Sequence, residues 1–132
     1  MNEIAGLLRD AKTIAVVGLS GDVFRPSHRV TAYLQEHGYR IIPVNPKEAE
    51  ILGEQCYADL AAIPVPVDIV DIFRRSEFVP ELVAEAIRIG AKAVWMQEGV
   101  AHAEAAARAR AAGLIVVEDR CILKEHQRLL SA

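Results

Sequence analysis

Two cysteines, Cys56 and Cys121, are all that the chain offers for sulfur chemistry, and they stand in no CxxC or metal-like spacing. A disulfide framework or zinc site therefore has no support, and reduced thiols are expected. There is no HxxxH and no mixed His/Cys cluster, so no metal is expected, and His37, His102 and His126 read as surface or helix-end residues. No apolar run approaches the roughly 20 residues of a membrane span. The start, MNEIAGLLRDAK, lacks the basic flank and long apolar core of a secretory signal. A cytoplasmic protein without membrane contact is the expectation. Basic runs are missing too, and a formal net charge of −3 gives no general attraction to phosphate backbones or anionic lipids, which argues against nucleic acid as a partner. Repeats, low-complexity tracts and linkers are absent, so residues 1–132 are read as one domain.

What is present is apolar and regularly spaced. Hydrophobic residues make up 52% of the chain and recur in strand-length runs: TIAVVG (13–18), RIIPVN (40–45), VDIVDIF (67–73), KAVWMQ (92–97) and LIVVED (114–119). These runs are nearly continuous and rich in Val and Ile, which suits strands covered on both faces. Helix-like segments separate them. Ser76 is expected to cap a helix with Val79, Leu82, Val83, Ala86 and Ile87 on one stripe and Gly90 as its stop. Pro80 is tolerated there in the first turn. An alanine-rich helix follows and ends at Gly113, and CILKEHQRLL reads as a terminal helix. Residues 45–67, with several prolines, are expected to hold a short helix and a loop. The fold class is α/β, a Rossmann-like, doubly wound, mostly parallel five-stranded sheet with helices on both faces. Counting the five runs along the chain, the expected order is 3-2-1-4-5, with the switch point between strands one and four.

Ligands of such sheets bind beyond the carboxyl ends of the strands. The first of these loops, GLSGDVFRPSH, brings Gly18, Ser20 and Gly21 before a helix starting near Ser27. Backbone N–H groups, the Ser20 hydroxyl and the helix dipole can converge there on a phosphate, with Arg25, His28 and Arg29 nearby. The competing reading is an ordinary glycine turn with Ser27 as a helix cap. A GxGxxG fingerprint is lacking, and Asn45, Pro46 and Lys47 stand where an NAD site needs a carboxylate for the ribose. A plain NAD site is disfavoured, while a ligand with an extra phosphate is allowed. Phe73 offers a flat face for an adenine and Arg74 and Arg75 offer cations. The competing reading there is a core Phe beside solvated arginines. Gln97, Glu98 and Gly99 form a further turn, expected across the switch point from Gly18.

The combination VVGLS, Arg25-Pro26-Ser27, VNP (44–46), VDIVDIFRRSEFVP (67–80), VWMQEG (94–99) and DRC (119–121) resembles the small CoA-binding proteins of bacteria and archaea. These are similar to the CoA-binding domain of the succinyl-CoA synthetase alpha subunit. The resemblance implies coenzyme A, free or acylated, held along the strand ends. Gly18 to Ser20 would lie near phosphates, Asn45-Pro46-Lys47 near the adenosine and phosphate end with Phe73-Arg74 beside it, and Gln97, Glu98 and Gly99 on the pantetheine side. In the synthetase the phosphorylated histidine lies outside that domain, so the expectation is ligand binding without catalysis and without catalytic residues. An NADP-dependent oxidoreductase and a CoA-responsive module that binds protein partners are the alternatives. A homo-oligomer or an unidentified protein partner stays open.

Overall fold

The computed structural model describes residues 3–130. Its strands are β1 Thr13–Val17, β2 Arg40–Val44, β3 Glu50–Ile51, β4 Glu54–Gln55, β5 Ile69–Ile72, β6 Ala93–Met96 and β7 Ile115–Val117. Its α-helices are α1 Glu3–Asp10, α2 Pro26–Glu36, α3 Val79–Arg88, α4 Ala103–Ala111 and α5 Ile122–Leu130. The five apolar runs form one parallel sheet, flanked by helices in a Rossmann-like α/β fold.

The sheet order is β2-β1-β5-β6-β7. Counted over the five runs this is 2-1-3-4-5, which corrects the expected 3-2-1-4-5 and moves the switch point to the boundary between β1 and β5. The reason lies in residues 45–67. Instead of a short helix they form the β3–β4 hairpin and a 3-10 turn, Leu60–Ala62. The hairpin turns on Leu52 and Gly53, both left-handed at φ 54 and 76, which is the two-residue turn that matches strand twist. The chain leaving it then covers the outer edge of β2: Tyr57 pairs with Val44, its N–H donates to the Pro43 carbonyl, and its carbonyl accepts from Asn45 N. With that edge occupied, the third strand of the sheet can only add beside β1. Pro43, which has no N–H, fits a strand that is not flanked by full ladders on both sides.

Alternating strand residues feed two cores. Ala15, Val17, Val70, Ile72, Val94 and Met96 face one cluster, which also holds Val83 of α3 and Ala105, Ala106 and Ala109 of α4. Ile14, Val16, Ile69 and Trp95 face the other with Leu8, Leu34 and Ile122 from α1, α2 and α5. The small residues of α4 bring that helix close to the sheet. Ser76 does not cap α3: a 3-10 turn over Ser76–Phe78 precedes the helix, and the Ser76 hydroxyl accepts from Ala101 N instead. His102 caps α4, its Nδ1 accepting from Ala105 N, whereas His126 is buried against the Tyr33 hydroxyl at 2.7 Å and is no surface residue. Among the described residues no helix is long and apolar enough to cross a membrane.

Candidate functional site

Where the strand order reverses, the loops after β1 and β5 must part, and a crevice opens between them. It is lined by Gly18, Ser20, Arg25, Pro26, Ser27 and Phe73, with a volume of about 230 Å³. Gly18 makes the close approach possible. Its φ is +84°, and a Cβ built there would run into the Phe73 carbonyl oxygen and come within 3.0 Å of Arg74 Cδ. Only a residue without a side chain lets the two strand ends meet in this way.

The loop is tied to the first turn of α2. Ser27 is buried, and its hydroxyl accepts from Ser20 N at 3.1 Å, so it is no ordinary helix cap. The Ser20 hydroxyl in turn accepts from Asp22 N at 3.0 Å. Pro26 begins the helix without an N–H to satisfy. The N–H groups of Leu19 and Gly21 find no acceptor among the described residues. Two backbone donors and the positive end of an 11-residue helix therefore sit at one crevice, an arrangement suited to an anion. Arg25 is exposed, with a long contact of 3.9 Å to Asp22. His28 stands on the first turn but does not line the crevice. Replacing Ser27 by Ala should cost about 1 kcal/mol in chemical unfolding and speed hydrogen exchange at the Ser20 amide. An unchanged Ser20 exchange rate would contradict this tie.

Asn45 joins the second loop to the first: its Nδ2 donates to the Leu19 carbonyl at 3.0 Å and its Oδ1 accepts from Lys47 N at 2.8 Å. The side chain is thereby spent on loop geometry. Pro46 and Lys47 are exposed beside it, and Lys47 forms no ion pair among the described residues. On the other flank, Phe73 is half-buried: it packs against the Trp95-containing core and also lines the crevice. Arg74 is exposed, its guanidinium carbon 4.2 Å from the Phe78 ring centroid. Arg75 pairs with Glu77 at 3.7 Å.

The third turn does not stand across the switch point from Gly18, because β5 separates β6 from β1. The Gln97 side chain turns inward: Nε2 donates to Asp71 Oδ1 at 2.5 Å and Oε1 accepts from Ile122 N at 3.4 Å. Glu98 pairs with Lys124 at 3.1 Å, and Gly99, left-handed at φ +83°, donates its N–H to Asp119 Oδ1 at 2.7 Å. Gly18, Ser20, Arg25 and Ser27 are thus gathered with Phe73, and Asn45 is tethered to them, whereas Gln97, Glu98 and Gly99 form a separate structural unit.

Asp71 was not singled out by sequence reasoning, yet it is the group most altered by its surroundings. It is 0% exposed in the middle of β5, opposite Val16 and Trp95, with Oδ2 lacking any hydrogen bond. Burial pushes its carboxyl up to about 7, against a smaller lowering by Gln97. The visible signal was a carboxylate inside the apolar run VDIVDIF. Cys56 is held above its usual thiol range by burial and by Glu48 and Glu50, which disfavours the reactive thiolate. No group of three or more potential metal ligands occurs among the described residues.

A parallel doubly wound sheet with a glycine turn and a helix start at its switch point defines the Rossmann-like class of α/β protein, whose ligands bind beyond the carboxyl ends of the strands. Residues 12–127 match the family described as CoA binding domain, and the chain belongs to that family. It is 42% identical over 124 residues to the uncharacterized protein YneT of Bacillus subtilis, covering 94% of this chain and 92% of that protein. The structure of a hypothetical protein from Pyrococcus horikoshii OT3 superposes with a TM-score of 0.94 at 44% identity, covering 97% of this chain and 90% of the other. ADP-forming acetate–CoA ligase II of Archaeoglobus fulgidus is 36% identical over 83 residues, which are 61% of this chain and 12% of the ligase. The relation to the ligase is therefore one of a domain.

Proposed function

We propose that the protein binds coenzyme A, as the free thiol or an acyl thioester, across the β1/β5 switch point and does not by itself catalyse a reaction on it. The observation that carries this reading is the crevice where the Gly18 turn, the start of α2 and the Phe73-Arg74 strand end meet. In this reading the pyrophosphate lies at the Gly18–Ser20 turn. It takes the N–H groups of Leu19 and Gly21, free among the described residues, and the α2 N-terminus, with Arg25 on the crevice wall and His28 behind it on the first turn of α2. Lys47 and Arg74 face the 3′-phosphate, and Asn45 and Pro46 hold the adenosine side. Gln97, Glu98 and Gly99 act on the pantetheine side by shaping the β6 turn. The crevice lining supplies donors, one cation and a ring, but no pairing of a nucleophile with a general base.

Calorimetry with CoA, 3′-dephospho-CoA, NAD and NADP tests this. CoA should bind most tightly. Removing the 3′-phosphate should weaken binding roughly fivefold, since Lys47 and Arg74 are exposed and such pairs contribute about 1 kcal/mol. Equal affinity for NAD, or no binding of CoA, would overturn the reading. Preference for NADP would instead favour a dinucleotide oxidoreductase.

A further inference from the structure

The large hydrophobic side chains that stand exposed, among the described residues, are neighbours: Val23 at 56% and Phe24 at 82%. Both lie in the loop whose two ends, Ser20 and Arg25, line the crevice. An aromatic ring in water at such a place needs a physical explanation, since burying it would be favourable.

Internal hydrogen bonds hold the backbone beneath the ring. Phe24 N donates to Asp22 Oδ1 at 2.9 Å, Arg25 N donates to the Asp22 carbonyl at 3.0 Å, and Arg29 Nη1 donates to the Phe24 carbonyl at 2.7 Å. The segment is also fixed toward one side of the crevice. Glu48 lies against Gly21, so closely that a Cβ on that glycine would meet Glu48 Oε1 at 3.0 Å, and Asn45 grips Leu19. Phe24 is thereby carried by a loop anchored to the Asn45–Lys47 turn.

The crevice itself, at about 230 Å³, is smaller than the roughly 300–1,000 Å³ of pockets that bury drug-sized ligands. A pyrophosphate fits such a space, and the rest of a nucleotide must lie over the neighbouring surface. Phe73, the ring that the sequence offered as an adenine platform, is half-buried against the core and lines the crevice itself, so it offers less open face than Phe24. Its carbonyl is pressed against Gly18.

We propose that Phe24 is the platform on which the adenine ring of the bound nucleotide stacks. This rests on the CoA reading and deepens it: the loop after β1 would bind pyrophosphate through its backbone and the purine through its tip. The stacking needs no hydrogen bond to a base edge, so Phe24 recognises a flat purine and leaves the distinction between CoA and other adenine nucleotides to the phosphate contacts. An aromatic ring at this position satisfies the requirement, while an aliphatic one covers less of the base.

The test compares wild type with Phe24→Ala and Phe24→Trp, using calorimetry with CoA and with 4′-phosphopantetheine, which lacks the adenosine. Phe24→Ala should weaken CoA roughly tenfold, in the range found for truncating a stacked aromatic, and leave 4′-phosphopantetheine unchanged. Phe24→Trp should retain CoA affinity, and its exposed indole should be quenched on binding. Because Phe24 is exposed, both variants are expected to fold, and circular dichroism checks that directly. If wild type binds CoA and Phe24→Ala binds it equally well, the platform is refuted and the CoA reading stands. An equal loss for both ligands would also refute it, since the ring would then act on the shared phosphate or pantetheine part. If wild type binds no CoA at all, the underlying reading fails first.

Discussion

Replacing Gly18 by Ala is expected to lower stability by about 3 kcal/mol and CoA affinity by roughly a hundredfold, because two separate penalties fall on one atom. A non-glycine residue held in the left-handed region costs about 1–2 kcal/mol, and Gly18 has φ +84°. The added methyl also collides with the Phe73 carbonyl, which is backbone and cannot swing aside as a side-chain end does. Forcing such overlap costs about 1–3 kcal/mol. Relief requires β1 and β5 to part at the switch point, which displaces the turn that should cradle the pyrophosphate. The Gly38→Ala variant separates the two penalties. Gly38 has φ +92° but nothing within 4 Å of an added Cβ. It should lose about 1–2 kcal/mol of stability and no CoA affinity. Chemical unfolding and calorimetry of both variants suffice, and equal behaviour of the two would remove the argument from close approach.

The second large effect concerns Asp71 and is read as stability against pH. Its carboxyl titrates near 7 in the folded chain and at about 3.8 when unfolded. Below pH 3.8 both states hold the proton and there is no penalty. As pH rises from there towards 7, the unfolded chain releases its proton while the folded chain keeps it, so this group lowers stability. Above pH 7 both states are ionised and the loss is constant. A displacement from 3.8 to about 7 corresponds to about 4 kcal/mol. Asp71→Asn has the same shape and no charge. Its Oδ1 can still accept from Gln97, and its amide replaces an Oδ2 that already lacks a partner. Near pH 4 the variant should match wild type, and near pH 8 it should be more stable by up to about 4 kcal/mol. Denaturant unfolding at both pH values reads this difference directly, and parallel curves for the two proteins would show that burial does not displace the carboxyl.

How far each part was legible depended on whether its cause was local. The five runs were readable because apolar continuity is a property of neighbouring residues, and their ends shifted by only one or two positions. The glycine turn after β1 was readable because a strand, a glycine and a helix start follow one another in the chain. The hairpin over residues 50–55 was not, since it relies on Leu52 in a left-handed conformation that aliphatic residues rarely adopt. Ser27 looked like a helix cap because its distance from Ser20 depends on how the loop closes. The inward turn of the Gln97 side chain was not legible, because nothing in the chain places Asp71 and Ile122 beside it.

By itself, the order of residues determined the α/β class, the two-faced burial of the strands, the glycine turn before α2 and the likeness to CoA-binding domains. These follow from short-range patterns that survive any arrangement of the strands. Only the tertiary structure decided that β5 lies beside β1, because the edge of β2 is taken by the segment carrying Tyr57. That single pairing sets Phe73 against Gly18 and brings Asp71 beside the inward-turned Gln97 side chain. Strand order is a competition among distant segments for hydrogen-bonding edges, and its outcome is written in no one of them.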